Sequence, residues 1–403
     1  MEQLLTRHWQ LRDLVSLGSR TQSEVIYPSE CSVHAVDLFS GKDSVLAEFE
    51  FRPRCLQNYG DILVTGGLHE DRPVGGSQKG LFAIHNTVTG QQITRDLGEL
   101  INNSVSLYSD SNDKMDAIVC NNDCSLYFLE IVDSRCVLED SMRLDTPLNH
   151  ASISPDHKTV VACGDSPNVV ICNRKGSSGW AMSENLDSGS DSGFSTAWHS
   201  SGIMFGVAFQ DGIARLYDVR NLKQPLTEIK SSCPEMAGAF RCLKFSNGCE
   251  DMLFLSEQME RVHVVDIRDF ENHQVLTVPL NMNTSTPIHP DLGGSVRQDN
   301  GTPIECDSVV RPYDQLIVDS SVHRRPSYNS ELTASPSTTG SYNSWMQVSR
   351  YPNSSYEQSS WGISGLAWSQ HLGGSLIVGT HNSIGVWQVD GWTRRTFPSY
   401  TIR

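Results

Sequence analysis

Long apolar runs are missing from this 403-residue chain. Nowhere do 18 apolar residues follow one another, and the opening MEQLLTRHWQLRDLVSLGSR holds no apolar core of signal-peptide length. The expectation is a soluble intracellular protein, cytoplasmic or nuclear, with no membrane partner. Basic runs are just as scarce. Lys and Arg number 31 against 47 Asp and Glu, a formal charge of −16, and no Lys/Arg run is longer than a pair such as Arg324-Arg325 or Arg394-Arg395. A surface of that sign repels phosphate backbones, which argues against direct nucleic-acid binding.

Regular cysteine spacing is also lacking. The 11 cysteines are odd in number, and most sit in apolar runs, as Cys163 does in VVACGD and Cys242 in FRCLKF. Free buried thiols in a reducing compartment account for this. Cys120 and Cys124, in CNNDC, have the look of half a metal site, but no second pair with ligand spacing follows; a hairpin turn is the plainer reading, and no metal is expected. Catalytic signatures are missing as well: no G-x-S-x-G elbow, no phosphate loop ending in G-K-[ST], no H-E-x-x-H. The 13 histidines are dispersed; His199, at a strand end, and His263, in VHVVD, read as satisfied structural histidines. Neither catalytic residue nor cofactor is expected.

What the sequence has is a repeat. The strings VSLYSD (105–110), ASISPD (151–156), TAWHSSG (196–202), CLKFSNG (242–248) and GLAWSQ (365–370) recur. Tyr108, Ile153, Trp198 and Phe245 are spaced by 45, 45 and 47 residues. Each string precedes an alternating apolar strand, a polar turn and a second strand, as in MFGVAFQDGIARLYDV and DMLFLSEQMERVHVVDI. That period, built from strands and turns without 3.6-residue patterning, predicts an all-β propeller with one four-stranded blade per repeat. Two further units precede these, SEVIYPSECSVHAVDLFSGKDSVLAEFEF (23–51) and DILVTGG with GLFAIHNTVTG (61–67, 80–90), giving seven blades in one domain over 1–403. The last unit is short of an outer strand, so the ring is expected to close by pairing segments from both chain ends. Between Phe245 and Trp368 the spacing jumps to 123. The Ser/Thr/Asn/Pro-rich stretch 281–360 is expected to be a mostly disordered insertion, with YDQLIVDSS apolar enough to add a strand to a blade.

On these residues the chain resembles the WD40 repeat family. More narrowly it looks like a group of WD-repeat proteins shared by fungi and plants, through NNDC (121–124), ASISPDHKTVVACGD (151–165), GFSTAWHSSG (193–202) with QDGIARLYDVRN (210–221), FRCLKFS (240–246) with ERVHVVDIRDFENHQVL (260–276), and LRDLVSL (11–17). The resemblance covers most of the chain outside the insertion and implies a protein-interaction scaffold. The match departs from the strict pattern. GSDSGF stands where Gly-His is expected before TAWHSSG, and Tyr217-Asp218 and Val265-Asp266 replace Trp-Asp. Of the family's His, turn Asp, Ser/Thr and Trp network, only Asp211 and Tyr217 match in their blade, with His150 a counterpart in the preceding one. Several blades are therefore expected to be held mainly by packing.

Two endings point outward. Tyr217-Asp218-Val219-Arg220 and Val265-Asp266-Ile267-Arg268 fall in consecutive blades. They resemble the Trp-Asp-x-Arg ending by which cullin-4 ubiquitin-ligase receptors dock on their propeller adaptor, with an Asp seven residues earlier. Asp211 fills that place in the first blade, and Met259 stands there in the second. On that resemblance Arg220 and Arg268 would make charged contacts with the adaptor. The plainer reading is that Asp caps the strand end and Arg covers the blade edge. Within the insertion, Ser327 follows Arg324-Arg325-Pro326 as a basophilic kinase would require, and Ser335-Pro336 suits a proline-directed one. Such short patterns also arise by chance. Three functions thus stand in order: a non-enzymatic protein scaffold, a ligase substrate receptor, and a propeller enzyme whose site lines the central channel.

Overall fold

The computed structural model describes residues 13–19, 21, 23–68, 79–109, 114–132, 135–176, 179–189, 191–233, 238–248, 250–259, 261–278 and 362–389 (without 373 and 381–383), and three short strands at Val296–Arg297, Pro303–Ile304 and Val310–Pro312. Every regular element among them is a strand, and seven antiparallel meander sheets form the blades of a β-propeller.

Blade 1 comprises Ser16–Leu17, Glu24–Ser29, Ser32–Asp37 and Asp43–Glu48; blade 2 comprises Cys55–Tyr59, Ile62–Leu68, Gly80–Asn86 and Gln92–Asp96. Blade 3 runs through Asn102–Ser109, Met115–Asn121, Ser125–Val132 and Arg135–Arg143, and blade 4 through Leu148–Ile153, Thr159–Gly164, Ser166–Arg174 and Trp180–Asp187. Blade 5 is Gly193–Trp198, Met204–Phe209, Ile213–Asp218 and Thr227–Lys230. Blade 6 is Phe240–Phe245, Met252–Glu257, Arg261–Asp266 and Asp269–Thr277, with Val310–Pro312 paired outside it. Blade 7 has Ile363–Ser369, Ser375–Thr380 and Ile384–Gln388.

The repeat spacing matches the blades. Tyr108, Ile153, Trp198, Phe245 and Trp368 all fall at the ends of first strands and pair with the starts of second strands. Second strands carry unbroken buried runs because both of their faces meet a neighbouring blade. Outer strands are largely exposed, as in Trp180–Asp187. Each gap between adjacent blades is filled by its own apolar cluster. Phe205, Phe209 and Tyr217 of blade 5, for instance, meet Val161, Cys163 and Ile171 of blade 4. Seven such clusters close the circle. The buried thiols belong to this filling, and burial pushes those of Cys120, Cys172 and Cys242 up to about 12, where they stay protonated.

The seam differs from the expectation. Among the described residues no sheet takes strands from both chain ends; the early chain supplies blade 1 with its innermost strand, Ser16–Leu17, paired to Val25 and Ile26. Just before it, Leu14 N donates to Ser364 O at 3.0 Å, and Val15 is buried in the cluster that joins blade 7 to blade 1. Blade 7 is hollowed to receive them. A Cβ on Gly365 would stand 2.8 Å from the nitrogens of Leu14 and Val15, and one on Gly379 would stand 2.4 Å from Val15 Cγ2. The stretch YDQLIVDSS and most of 281–360 lie outside the described residues. The strand the region adds to blade 6, Val310–Pro312, comes just ahead of the segment expected to do so.

Candidate functional site

Antiparallel meanders put the first-to-second and third-to-fourth turns of every blade on one face of the ring, here the turn face. The second-to-third turns and the blade-to-blade connections lie on the other, the connection face. The first strands face the axis and touch their counterparts in neighbouring blades, so their inward side chains line a channel.

Asp13 enters that channel. Its Oδ2 lies 2.7 Å from Lys244 Nζ in blade 6 and 3.7 Å from His150 Nε2 in blade 4, and Cys242 Sγ is 3.8 Å from Oδ1. Burial alone would raise the Asp13 carboxyl, but the Lys244 charge and the contact with His150 outweigh it and hold the group at about 2. The reciprocal effect holds for Lys244: burial disfavours its charge, and the carboxylate more than offsets this. Arg54, Asn103, Asn149, His150, Phe194 and Arg241 line the space beside Asp13, about 10 Å³, room for one water. Arg241 is 1% exposed, with Nε donating to Gln258 Oε1 at 2.5 Å and its guanidinium 4.0 Å from the Phe194 ring centre. His150 also meets Thr196 Oγ1 at 3.1 Å, tying blade 4 to blade 5. The channel is thus polar, with Asp13, Lys244 and His150 serving one another.

Carboxylates in second-to-third turns hold the connection that enters their own blade. Asp123 does so in blade 3, accepting Glu99 N at 2.8 Å and Tyr127 OH at 2.9 Å. In blade 6 this part falls to Glu257, at the end of the second strand, whose Oε1 accepts Ser232 N at 2.8 Å, the hydroxyls of Ser231 and Ser232 at 2.9 Å each, and His263 Nε2 at 2.7 Å. His263 Nδ1 in turn lies 2.8 Å from His273 Nε2 on the outer strand. Burial acts to raise the Glu257 carboxyl, but His263 prevails and lowers it. For His273, burial and then the His263 charge depress the imidazole to about 3. His263 is fully buried in a blade-wide polar chain, so hydrogen bonding joins packing in holding this blade. His199 Nε2 lies 3.4 Å from Asp251 Oδ1 across the blade 5–6 gap. Cys120 is buried between blades 3 and 4, and Cys124 sits in the turn at φ 72° with its carbonyl accepting Leu144 N.

The residues of the docking pattern in blade 5 divide between the two faces. Gln210-Asp211-Gly212 is the second-to-third turn of blade 5, as the alternation predicts. Asp211 Oδ1 accepts Ile213 N at 3.0 Å, and Gly212 takes φ +77° in a place where a Cβ would be 2.8 Å from Ser231 Cβ. Strand Ile213–Asp218 then carries the chain about 17 Å to the turn face. Asp211 therefore shares no surface with Asp218 and Arg220. Tyr217 is interior, 3% exposed, stacked on Phe205 and hydrogen-bonded to Ser188. Arg220 is 72% exposed and folds onto Asp218, with Nε 2.9 Å from Oδ1 and Nη2 2.5 Å from Oδ2. That pairing holds the Asp218 carboxyl at about 2. Arg268 occupies the equivalent register, since Met252 pairs with Asp266 as Met204 does with Asp218. Its Nε is 3.4 Å from Asp266 and 4.0 Å from Asp251. Ser327 and Ser335 lie outside the described residues.

The turn face also gathers exposed apolar side chains that no motif marks: Phe39 in blade 1, Tyr59 and Val88 in blade 2, and Ile203 and Val219 in blade 5, each at least 36% exposed. Scattered exposed apolar residues are ordinary; their collection on one side of a ring is informative.

Comparison with known proteins places this fold beside fungal relatives. Residues 238–277, essentially blade 6, match the model of an uncharacterised protein domain, DUF2415. The uncharacterized protein YLR149C of Saccharomyces cerevisiae is 28% identical over 68% of this chain and 54% of its own length, so the chain spans about half of that relative. The uncharacterized protein C4G3.03 of Schizosaccharomyces pombe is 27% identical over 80% of this chain and 91% of its own.

Proposed function

We propose that this protein is a non-enzymatic scaffold of WD40 type that assembles protein partners, in the cytoplasm or nucleus, on the turn face of its propeller. The propeller fold is compatible with that role, since a rigid ring positions many turns for contact. One observation carries the choice of face: Phe39, Tyr59, Val88, Ile203 and Val219 all emerge there, beside the exposed Arg220. The channel supports the same reading over an enzymatic one, because Asp13, His150 and Lys244 are engaged with one another as a structural clasp. Native purification with mass spectrometry tests it, comparing the wild-type chain with a Phe39→Asp, Ile203→Asp double variant and with Leu100→Asp on the connection face. Partners lost only from the double variant support the proposal. Recovery of nothing beyond chaperones and ribosomal proteins, or equal loss from Leu100→Asp, refutes it.

Docking on the adaptor of a cullin-4 ligase is the second reading. It is favoured by the matched register of Arg220 and Arg268 on one face of consecutive blades. An adaptor that binds an Arg220→Ala, Arg268→Ala variant as well as the wild type removes it. Phosphorylation at Ser327 or Ser335 would add charge and acceptor oxygens to the insertion and regulate partner access. Phosphopeptide mapping of the purified protein that finds both serines unmodified ends that part of the proposal.

A further inference from the structure

The corner of blade 5 that carries Arg220 has a chemistry that its sequence motif conceals. One N–H edge of the guanidinium is spent on Asp218: Nε lies 2.9 and 3.1 Å from the two carboxylate oxygens, and Nη2 lies 2.5 Å from Oδ2. The side chain nevertheless remains 72% exposed, whereas Asp218 is 15% exposed. Around it stand Ile203 at 42%, Val219 at 36% and Leu226 at 50% exposure, and Val219 N is fixed to Ile203 O at 2.9 Å. Blade 6 does not reproduce this corner. There Asp251 takes the place of Ile203, Ile267 is buried where Val219 is exposed, and Arg268 lies between Asp266 and Asp251.

An arginine whose side-on edge already holds a carboxylate is largely charge-compensated, and it still offers a partner the flat faces of its guanidinium. Those faces are weakly hydrated and stack on aromatic rings. A partner carboxylate on the remaining edge would be repelled by the Asp218 carboxylate and would approach a chain of formal charge −16. An aromatic ring meets neither obstacle, and aliphatic side chains border the place where it would lie. We infer that the Ile203–Val219–Arg220–Leu226 corner is a docking site for a partner segment that presents an aromatic side chain, which stacks on Arg220 and packs against the flanking aliphatics. The inference rests on the scaffold reading and the turn face proposed above.

Panning a phage-displayed random dodecapeptide library on the intact chain tests it. The enriched peptides are then measured against Arg220→Lys, which keeps the charge and removes the planar fork, against Ile203→Asp, and against Leu100→Asp. All variants are first checked by thermal melting. The expected result is enrichment of Trp, Tyr or Phe, binding weakened about five-fold or more by Arg220→Lys and by Ile203→Asp and unchanged by Leu100→Asp, and little response to salt between about 0.1 and 0.5 M. Acidic peptides that bind the same corner and are released by salt would overturn the aromatic chemistry while leaving the face intact. Peptides sensitive only to Leu100→Asp, or no enrichment, would overturn the site, and the former would take the choice of face with it.

Discussion

Asp13 and Lys244 are separated by 231 positions in the chain and by 2.7 Å in space. The pair joins the segment that seals the ring to the first strand of blade 6, and through His150 it reaches blade 4 as well. A propeller without a strand shared between its chain ends among the described residues needs some other lock at its seam, and this contact together with Val15 supplies one.

Removing the charge at that lock leaves the half-buried Lys244 without its partner. Asp13→Asn is expected to lower unfolding stability by about 2 kcal/mol, and Lys244→Met in the same background to return part of the loss. Urea unfolding of the two single variants and the double variant measures the coupling; strictly additive effects would show that the pair is incidental.

Steric fit at the seam makes a second expectation. Gly379→Ala drives a methyl group into Val15 Cγ2 and is expected to cost about 1–3 kcal/mol. Val15→Ala alone loses buried contact, but combined with Gly379→Ala it makes room, so the double variant should be more stable than the sum of the two losses predicts. Thermal melts decide this. A Gly379→Ala protein as stable as wild type contradicts the seam geometry.

The chain of Glu257, His263 and His273 makes stability depend on pH. His273 is held at about 3 in the folded protein, below its ordinary value near 6.5, so the unfolded chain binds the proton more readily. Its contribution is complete above about pH 6.5 and is lost as pH falls from there toward 3, reaching about 2 kcal/mol at pH 5. The lowered Glu257 carboxyl has the same sign in a more acidic window: stability present above its unfolded value, lost as pH falls through the folded one. Melting temperatures between pH 7.5 and 5 should therefore fall less steeply for His273→Gln than for wild type. Equal slopes would place the acid-sensitive group elsewhere.

The blades were legible because their cause is local. Alternating apolar residues, polar turns and a spacing near 45 residues reflect the repeated burial of each hairpin between two others, so FGVAFQDGIARLYDVR could be read directly as strands Met204–Phe209 and Ile213–Asp218 around their turn. The seam was not legible, because Asp13 lies in LRDLVSL with nothing to mark it, and Gly365 and Gly379 become informative only once Leu14 and Val15 stand against them. His263 was read as a satisfied structural histidine, but its partner Glu257 escaped for a related reason: their contact depends on the strand register that pairs Leu255 with His263. Linear spacing also misled. Asp211 and Arg220 are nine positions apart, yet one strand carries them to opposite faces.

The claim that partners bind the turn face is tested most directly by lysine-reactive cross-linking of natively purified complexes. Lys42, Lys158, Lys175 and Lys223 are exposed in or beside turn-face loops, while Lys79 and Lys230 border the connection face. Cross-links to partner chains concentrated on the first four are the predicted result. Cross-links concentrated on Lys79 and Lys230 would contradict the account.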